Sequence, residues 1–284
     1  MYRNKFIYLL LPVIISFIIA GCSKDVDSVE SGVPIVFAAN DVFTAETKVD
    51  AVTTSNLTSI YVTATRGTMG TSSEQSFWTS VNFTKNAGVF SANKFWPASD
   101  LGLHFYSSSA PLVFSSNACS VSVNTSSDVV CAVLPSPSYA QQNAFVFQHI
   151  FARIGTVTVN APAGFSVSGV SVKVTPRTSG TYNLLTGNGY TDGTGWSGVS
   201  NGVETTLSAS NDLYLIPGSY DFTVIYTLSK GDWSHLFTKV ANASVIAGSV
   251  NNVTMTVPSE QVSEIVISVS LSSWGVQNLT PEFS

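Results

Sequence analysis

Apolar residues in nearly every hydrophobic stretch of this chain recur at alternate positions, and this period constrains the fold more than any other feature. Val33, Ile35 and Phe37 form one such set, and Ile60 and Val62 another. Val157, Val159 and Ala161 interleave with Thr156, Thr158 and Asn160. Val170, Val172 and Val174 follow, and then Phe222, Val224 and Tyr226 between Thr223 and Thr227. Val253, Met255 and Val257 precede Ile265, Ile267, Val269 and Leu271. A period of two with β-branched enrichment is the pattern of strands that bury one face. Thr191-Asp192-Gly193-Thr194-Gly195 and Leu215-Ile216-Pro217-Gly218 supply turn residues between runs. No window carries a sustained helical stripe. The reading is all-β, built from antiparallel sandwiches.

The midpoint of the chain is marked by Leu134-Pro135-Ser136-Pro137-Ser138 and by Gln141-Gln142-Asn143. A new strand set starts at about Phe145. Together these place a boundary near residue 147, giving domains at 33–146 and 147–284. Residues 22–32 are polar and acidic, without periodicity, and read as a tether. No repeat of fixed period is present.

The first residues carry a different pattern. Arg3 and Lys5 precede an apolar run, Phe6 to Ala20, broken by Pro12. A spanning helix needs about 20 apolar residues, so this run is short for a membrane span. It reads as a signal peptide over 1–21. The run ends Ile19-Ala20-Gly21-Cys22, small residues before a cysteine, which is a lipobox. Cleavage there would leave Cys22 carrying acyl chains, each adding about 0.8 kcal/mol of membrane affinity per buried CH₂. The expectation is an exported protein tethered to a bacterial membrane through Cys22 and exposed to the outside. The other cysteines, Cys119 and Cys131, flank a strand–turn–strand pattern. They are either a disulfide across one hairpin, which an oxidising compartment permits, or two small buried apolar residues.

Charge and chemistry exclude several functions. Charged residues make up 10% of the chain, well below the usual quarter or so. The net charge is −5, with lysines and arginines scattered singly, which offers nothing to a nucleic-acid backbone. His104, His149 and His235 are far apart and share no metal-ligand spacing with the cysteines. His104 reads as a surface strand residue and His149 as a hydrogen-bonded packing residue. Nucleophile elbows and phosphate loops are missing from the sequence. The expectation is no cofactor, no metal and no enzymatic activity. Of the tryptophans, Trp96 and Trp274 lie beside strands and read as core plugs. Trp196 and Trp233 sit in turn-like segments and are the candidates for an exposed, glycan-stacking surface.

Several segments, in this order, resemble the fimbrillin-like lipoproteins of Bacteroidales bacteria. Cys22-Ser23-Lys24-Asp25 is similar to their lipidated start, and Asp25 and Asp27 to a surface-export signal. Pro34-Ile35-Val36-Phe37-Ala38 resembles their first strand. Lys94-Phe95-Trp96-Pro97 followed by Leu103-His104-Phe105-Tyr106 is similar to their Tyr-Trp-Pro strand pair. Phe147-Gln148-His149-Ile150-Phe151-Ala152-Arg153-Ile154 resembles the strand opening their second domain. Thr178-Ser179-Gly180-Thr181-Tyr182-Asn183, Leu215-Ile216-Pro217 and the Ile265 to Trp274 strand complete the set.

The resemblance implies two transthyretin-like β-sandwich domains and a subunit of a surface fibre supporting adhesion. It also implies processing. A trypsin-like protease would cut after a basic residue in the loop behind the first strand, that strand would leave, and a segment of the next subunit would fill the gap. Lys48 is the basic residue between the first strand and the one starting near Leu57. Ile265, Ile267, Val269 and Leu271 have the alternation a donor strand needs. The implied partners are other fimbrial subunits, outer-membrane lipid and a host protein or glycan, with the chain at the cell outer membrane. The alternative is a monomeric or anchoring surface lipoprotein.

Overall fold

The computed structural model of the chain describes residues 30–41, 52–53, 55–115, 117–187, 195–257, 266–273 and 278–279. In chain order the strands are β1 (Glu30–Asp41), β2 (Ser59–Arg66), β3 (Gln75–Asn86), β4 (Val89–Pro97), β5 (His104–Ser108), β6 (Leu112–Ser115) and β7 (Ala118–Asn124). Then come β8 (Val130–Leu134), β9 (Asn143–His149), β10 (Ala152–Asn160), β11 (Ser166–Val174), β12 (Arg177–Asn183), β13 (Trp196–Asn201) and β14 (Thr205–Leu207). The last are β15 (Ser210–Leu215), β16 (Gly218–Lys230), β17 (Trp233–Val245), β18 (Ser249–Thr256), β19 (Val266–Ser273) and β20 (Asn278–Leu279). Among the described residues there is no helix, as the alternation requires.

The N-terminal strands close on themselves. Their hydrogen-bonded order is β1-β4-β3-β2-β5-β8-β9, and β1 pairs with β9 to complete the ring. Inside lie Ile35, Phe37, Ile60, Val62, Phe83, Phe90, Trp96, Phe105 and Phe145, all essentially without solvent exposure. The closing β1–β9 pair is parallel, whereas β1–β4 is antiparallel. Alternation shows which residues turn inward but says nothing of strand direction, so this seam was not legible in the sequence.

The C-terminal strands form two facing sheets, β15-β10-β18-β19-β20 and β14-β11-β16-β17. β16 shows the alternation most clearly, burying Tyr220, Phe222, Val224, Tyr226 and Leu228. Facing them are Ile154, Leu215, Val253, Met255 and Val257 from the other sheet's side of the core. The β16–β17 hairpin pairs residue for residue from Gly218↔Val245 to Lys230↔Trp233. Its two-residue loop is Gly231-Asp232, and Gly231 has a φ of 58°, which suits the tight primed turns of such hairpins.

One expected face is altered. Val170 is 46% exposed, although Val172 and Val174 are buried as predicted. Gly169, at a φ of 61°, sits in a register shift between Ser168 and Ser171, and the resulting bulge turns Val170 outward.

The remaining sheet, β13-β12-β7-β6, draws strands from both sides of residue 147. Its core joins Tyr106, Leu112, Cys119, Val121 and Cys131 to Ile150, Phe151, Tyr182, Tyr214 and Ile216. Barrel and sandwich thus share a third apolar cluster. The hairpin reading of the cysteines does not hold, because Cys119 lies on β7 and Cys131 on β8, in different sheets. Both are free, buried thiols. Burial pushes the Cys131 thiol up to about 12, against a hydroxyl contact from Ser108 that lowers it, and pushes Cys119 up further. Thiols held protonated in this way are unreactive.

Candidate functional site

The residues singled out for processing centre on β1, so its seat is the natural candidate site. Ile35 and Phe37 are fully buried there, and Val33 is 37% exposed rather than turned inward with them. The cause is the β1–β4 seam, whose register shifts between Glu30 and Pro34 and again between Pro34 and Val36. The Phe37 ring sits among Phe145, Phe105 and Phe83 at centroid distances of 4.5, 5.0 and 5.4 Å. Trp96 extends this aromatic cluster, 5.7 Å from Phe105 and 5.5 Å from Tyr139, as a core plug should. Burying Ile35 and Phe37 contributes about 1.5–3 kcal/mol each. Taking β1 away would expose that trough and two rows of backbone donors and acceptors, one on β4 and one on β9.

β1 is therefore a closing stave of a ring and not an edge strand. Its departure must break two hydrogen-bonded seams. On the β9 side it runs parallel from Phe37↔Asn143 to Asp41↔Phe147, the slightly weaker arrangement per residue. On the β4 side it is interrupted twice.

Behind β1 the chain is fastened again at Val52, whose N–H donates to Asp128 Oδ2 at 2.9 Å. The same oxygen lies 2.6 Å from His149 Nδ1. Asp128 and His149 are both buried, at the point where the chain leaves the barrel for the sandwich. His149 is the hydrogen-bonded packing residue expected of it. This carboxylate was missed in the sequence because it stands 21 residues from His149, with no local motif to link them. Nearby, buried Glu74 accepts hydrogen bonds from Thr65 Oγ1 and Tyr106 Oη, both at 2.8 Å, and from Gly70 N at 2.6 Å. Burial and the Glu74 carboxylate push the Tyr106 phenol far up. His104 bridges two loops, with Nε2 at 2.7 Å from Gly67 O and Nδ1 against Pro135 O.

Cys22, Lys48 and Ile265 lie outside the described residues, as does Trp274. Ile267, Val269 and Leu271 fall on β19, opposite Met255, Val253 and Asn251 of β18. The donor-strand candidates are thus already paired within their own sandwich. The tryptophan expectation divides. Trp233 is 45% exposed, but Trp196 packs into the shared cluster, 5.6 Å from Phe151 and 5.0 Å from Tyr182. Turn-like flanking residues concealed that burial.

A polar cleft near the sandwich–joint boundary is lined by Lys173, Arg177, Glu204, Tyr220 and Asp221. Lys173 Nζ is 3.0 Å from a Glu204 oxygen, and the Arg177 guanidinium lies over Tyr220 at 5.0 Å. These charges are engaged in bracing strands. Among the described residues no three metal-ligating side chains converge.

The sequence from 45 to 274 matches the model of a family described as fimbrillin-like. The chain belongs to the fimbrillin-like family. Membership assigns a structural rather than a catalytic role. The match begins beyond β1. Among solved structures, a candidate cell adhesion protein from Bacteroides ovatus shares 14% identity at a TM-score of 0.46, covering 86% of this chain and 99% of its own. A fimbrial assembly protein from Parabacteroides distasonis shares 12% at a TM-score of 0.36, covering 84% and 94%. Likenesses this weak carry no weight for function, and the family assignment rests on the sequence match. No curated protein matches the chain significantly.

Proposed function

We propose that this fimbrillin-like chain is a structural subunit of a fimbria-like surface fibre. It is exported as a lipoprotein through Cys22, reaches the cell outer membrane, supports adhesion, and assembles by β-strand exchange. It works as two units divided near residue 147 and joined by the sheet β13-β12-β7-β6 with its shared core. The observation that carries this reading is β1 itself. The first strand of the chain holds an aromatic-lined trough closed, between one interrupted seam and one parallel seam. Cutting after Lys48 would sever β1 from the rest, while Asp128 and His149 keep the chain fastened from Val52 onward. A strand from a neighbouring subunit could then restore both the apolar burial and the backbone hydrogen bonds. Ile265, Ile267, Val269 and Leu271 are the donor candidates, at the cost of the β18–β19 seam in the subunit that lends them.

That cost favours a second reading for some copies. A chain that keeps β19 in place is an anchor or a monomeric lipoprotein, meeting a host protein or glycan through the exposed Trp233. Mass spectrometry of the N-terminus on native surface material separates the two. A free amine at Val49 supports the fibre subunit. A population consisting wholly of lipidated Cys22 termini overturns it in favour of the anchor.

A further inference from the structure

Six strands form the open edges of the sheets among the described residues, and one differs from the rest. The edges are β6, β13, β14, β15, β17 and β20. β6 has 4 residues, β13 and β15 have 6 each, β14 has 3 and β20 has 2. β17 has 13. Short edges are a normal defence against unwanted strand pairing, as are prolines, bulges and charged side chains. β17 contains no proline, has no register shift against β16, and carries a single full charge, Lys239. Among the described residues it pairs with β16 alone.

Its two faces differ. Phe237 and Ala243 pack against the sandwich core. The alternate residues, Ser234, Leu236, Thr238, Val240, Asn242 and Ser244, look outward. Leu236 is 61% exposed and Val240 63%. Two large aliphatic side chains bracketing one threonine, on a long edge whose single charge, Lys239, lies on the opposite face, are self-complementary in a specific way.

We propose that the outer edge of β17 is a self-association surface, which pairs antiparallel with β17 of a second copy about a two-fold axis at Thr238. A two-fold axis perpendicular to the sheet keeps outward residues opposite outward residues, so it must pass through a residue pair. Centred on Thr238, it sets Leu236 opposite Val240 of the second copy, twice, and Thr238 opposite itself. Aliphatic and Thr–Thr pairs of this kind are favourable across strands. The same register sets Lys239 opposite Phe237. Centring on Lys239 would oppose like charges and put Leu236 against Asn242. Centring on Phe237 would put Lys239 against His235 and Val240 against Ser234. Of these three registers, the charge pattern and the apolar pattern favour the same one, and the occupant they select is another copy of this strand. The surface is separate from the β1 seat and does not depend on the processing of β1.

The test uses the purified full chain. Sedimentation velocity should show a dimer that grows with concentration. Leu236→Lys together with Val240→Lys should weaken association by at least about tenfold, with the thermal midpoint unchanged at concentrations where the parent is monomeric, because both side chains are exposed. Thr238→Cys, oxidised by air with copper–phenanthroline, should give a disulfide-linked dimer much faster than Ser244→Cys, which lies far from the axis. Both variants retain the native cysteines, so background linkage is equal. The proposal is overturned if the unmodified chain is monomeric throughout, or if both cysteine variants link at the same rate. It is overturned equally if Thr238→Cys instead links within one chain to Phe283→Cys, because the chain's own tail would then cover the edge.

Discussion

β1 and β17 are the same kind of object, twelve- and thirteen-residue strands, held in opposite ways. β1 is paired on both sides, through one parallel seam and one antiparallel seam interrupted twice. β17 is paired on one side, through a hairpin without a single irregularity. The first is hydrogen-bonded along both edges, but one of its two ladders is interrupted, and it is plugged by Ile35 and Phe37. The second is half open yet continuous with its neighbour. If β1 is released as proposed, burial and permanence are separate properties in this molecule. The proposed exchange requires that a strand filling the centre of a core can still leave once its connection is cut.

The largest effect that could break this comparison is at the plugs. Phe37→Ala should cost about 3–5 kcal/mol, as large-to-small aromatic changes in cores do. Phe222→Ala in the sandwich should cost a similar amount. The two should differ in what they loosen. Hydrogen exchange should quicken in β2 and β9 for Phe37→Ala and in β10 and β18 for Phe222→Ala. Uniform loosening from either change would mean that the shared cluster couples the two cores into one unit.

Next in size is the fastening behind β1. Asp128→Ala leaves the buried His149 Nδ1 and the part-buried Val52 N–H without their shared acceptor, at about 1–3 kcal/mol for the buried histidine and less for the amide. Urea unfolding should register the loss, and proteolysis near residue 52 should accelerate before the barrel melts. An unchanged cleavage rate would remove this pair from the account.

The shared cluster gives a pH test. In the unfolded chain Cys131 ionises near 9.0, but in the fold burial holds it protonated up to about 12. Between those values the unfolded state has lost the proton that the native state keeps, so stability falls as pH rises. Cys119 and Tyr106 are shifted in the same direction. Thermal midpoints should decline from about pH 9 upward, and Cys131→Ala should flatten part of the slope. A midpoint flat across that range would contradict the burial of the thiol.

The smallest effect sharpens the comparison at a single bulge. Val170→Ala should lie within about 0.5 kcal/mol of the parent, as exposed substitutions do. Val172→Ala, at 1% exposure, should be clearly destabilising. Equal costs would mean the Gly169 bulge does not turn Val170 out.

These residues also mark what the sequence could and could not convey. Phe222, Val224 and Tyr226 face the core as their spacing required, because an antiparallel hairpin preserves the period throughout. Val33 and Val170 depart from their sets because a register shift resets the period, and the Gly at 169 was the visible sign of one of them. The return of β1 beside β9, and the pairing of β7 with β12 across the expected boundary, depend on contacts between segments distant in the chain. Alternation alone carries no trace of them. Asp128 was overlooked for the same reason. Trp196 was misjudged because its flanking residues describe the local turn and not the cluster above it.

The central claim is that β1 is removable and that its removal creates an acceptor. Limited digestion of the purified chain with a trypsin-like protease, followed by electrophoresis without boiling, tests it most directly. The account predicts a cut after Lys48, release of the fragment carrying Ile35 and Phe37, and a ladder of SDS-resistant multimers. A nicked chain that retains this fragment and runs as a monomer at high concentration would contradict it.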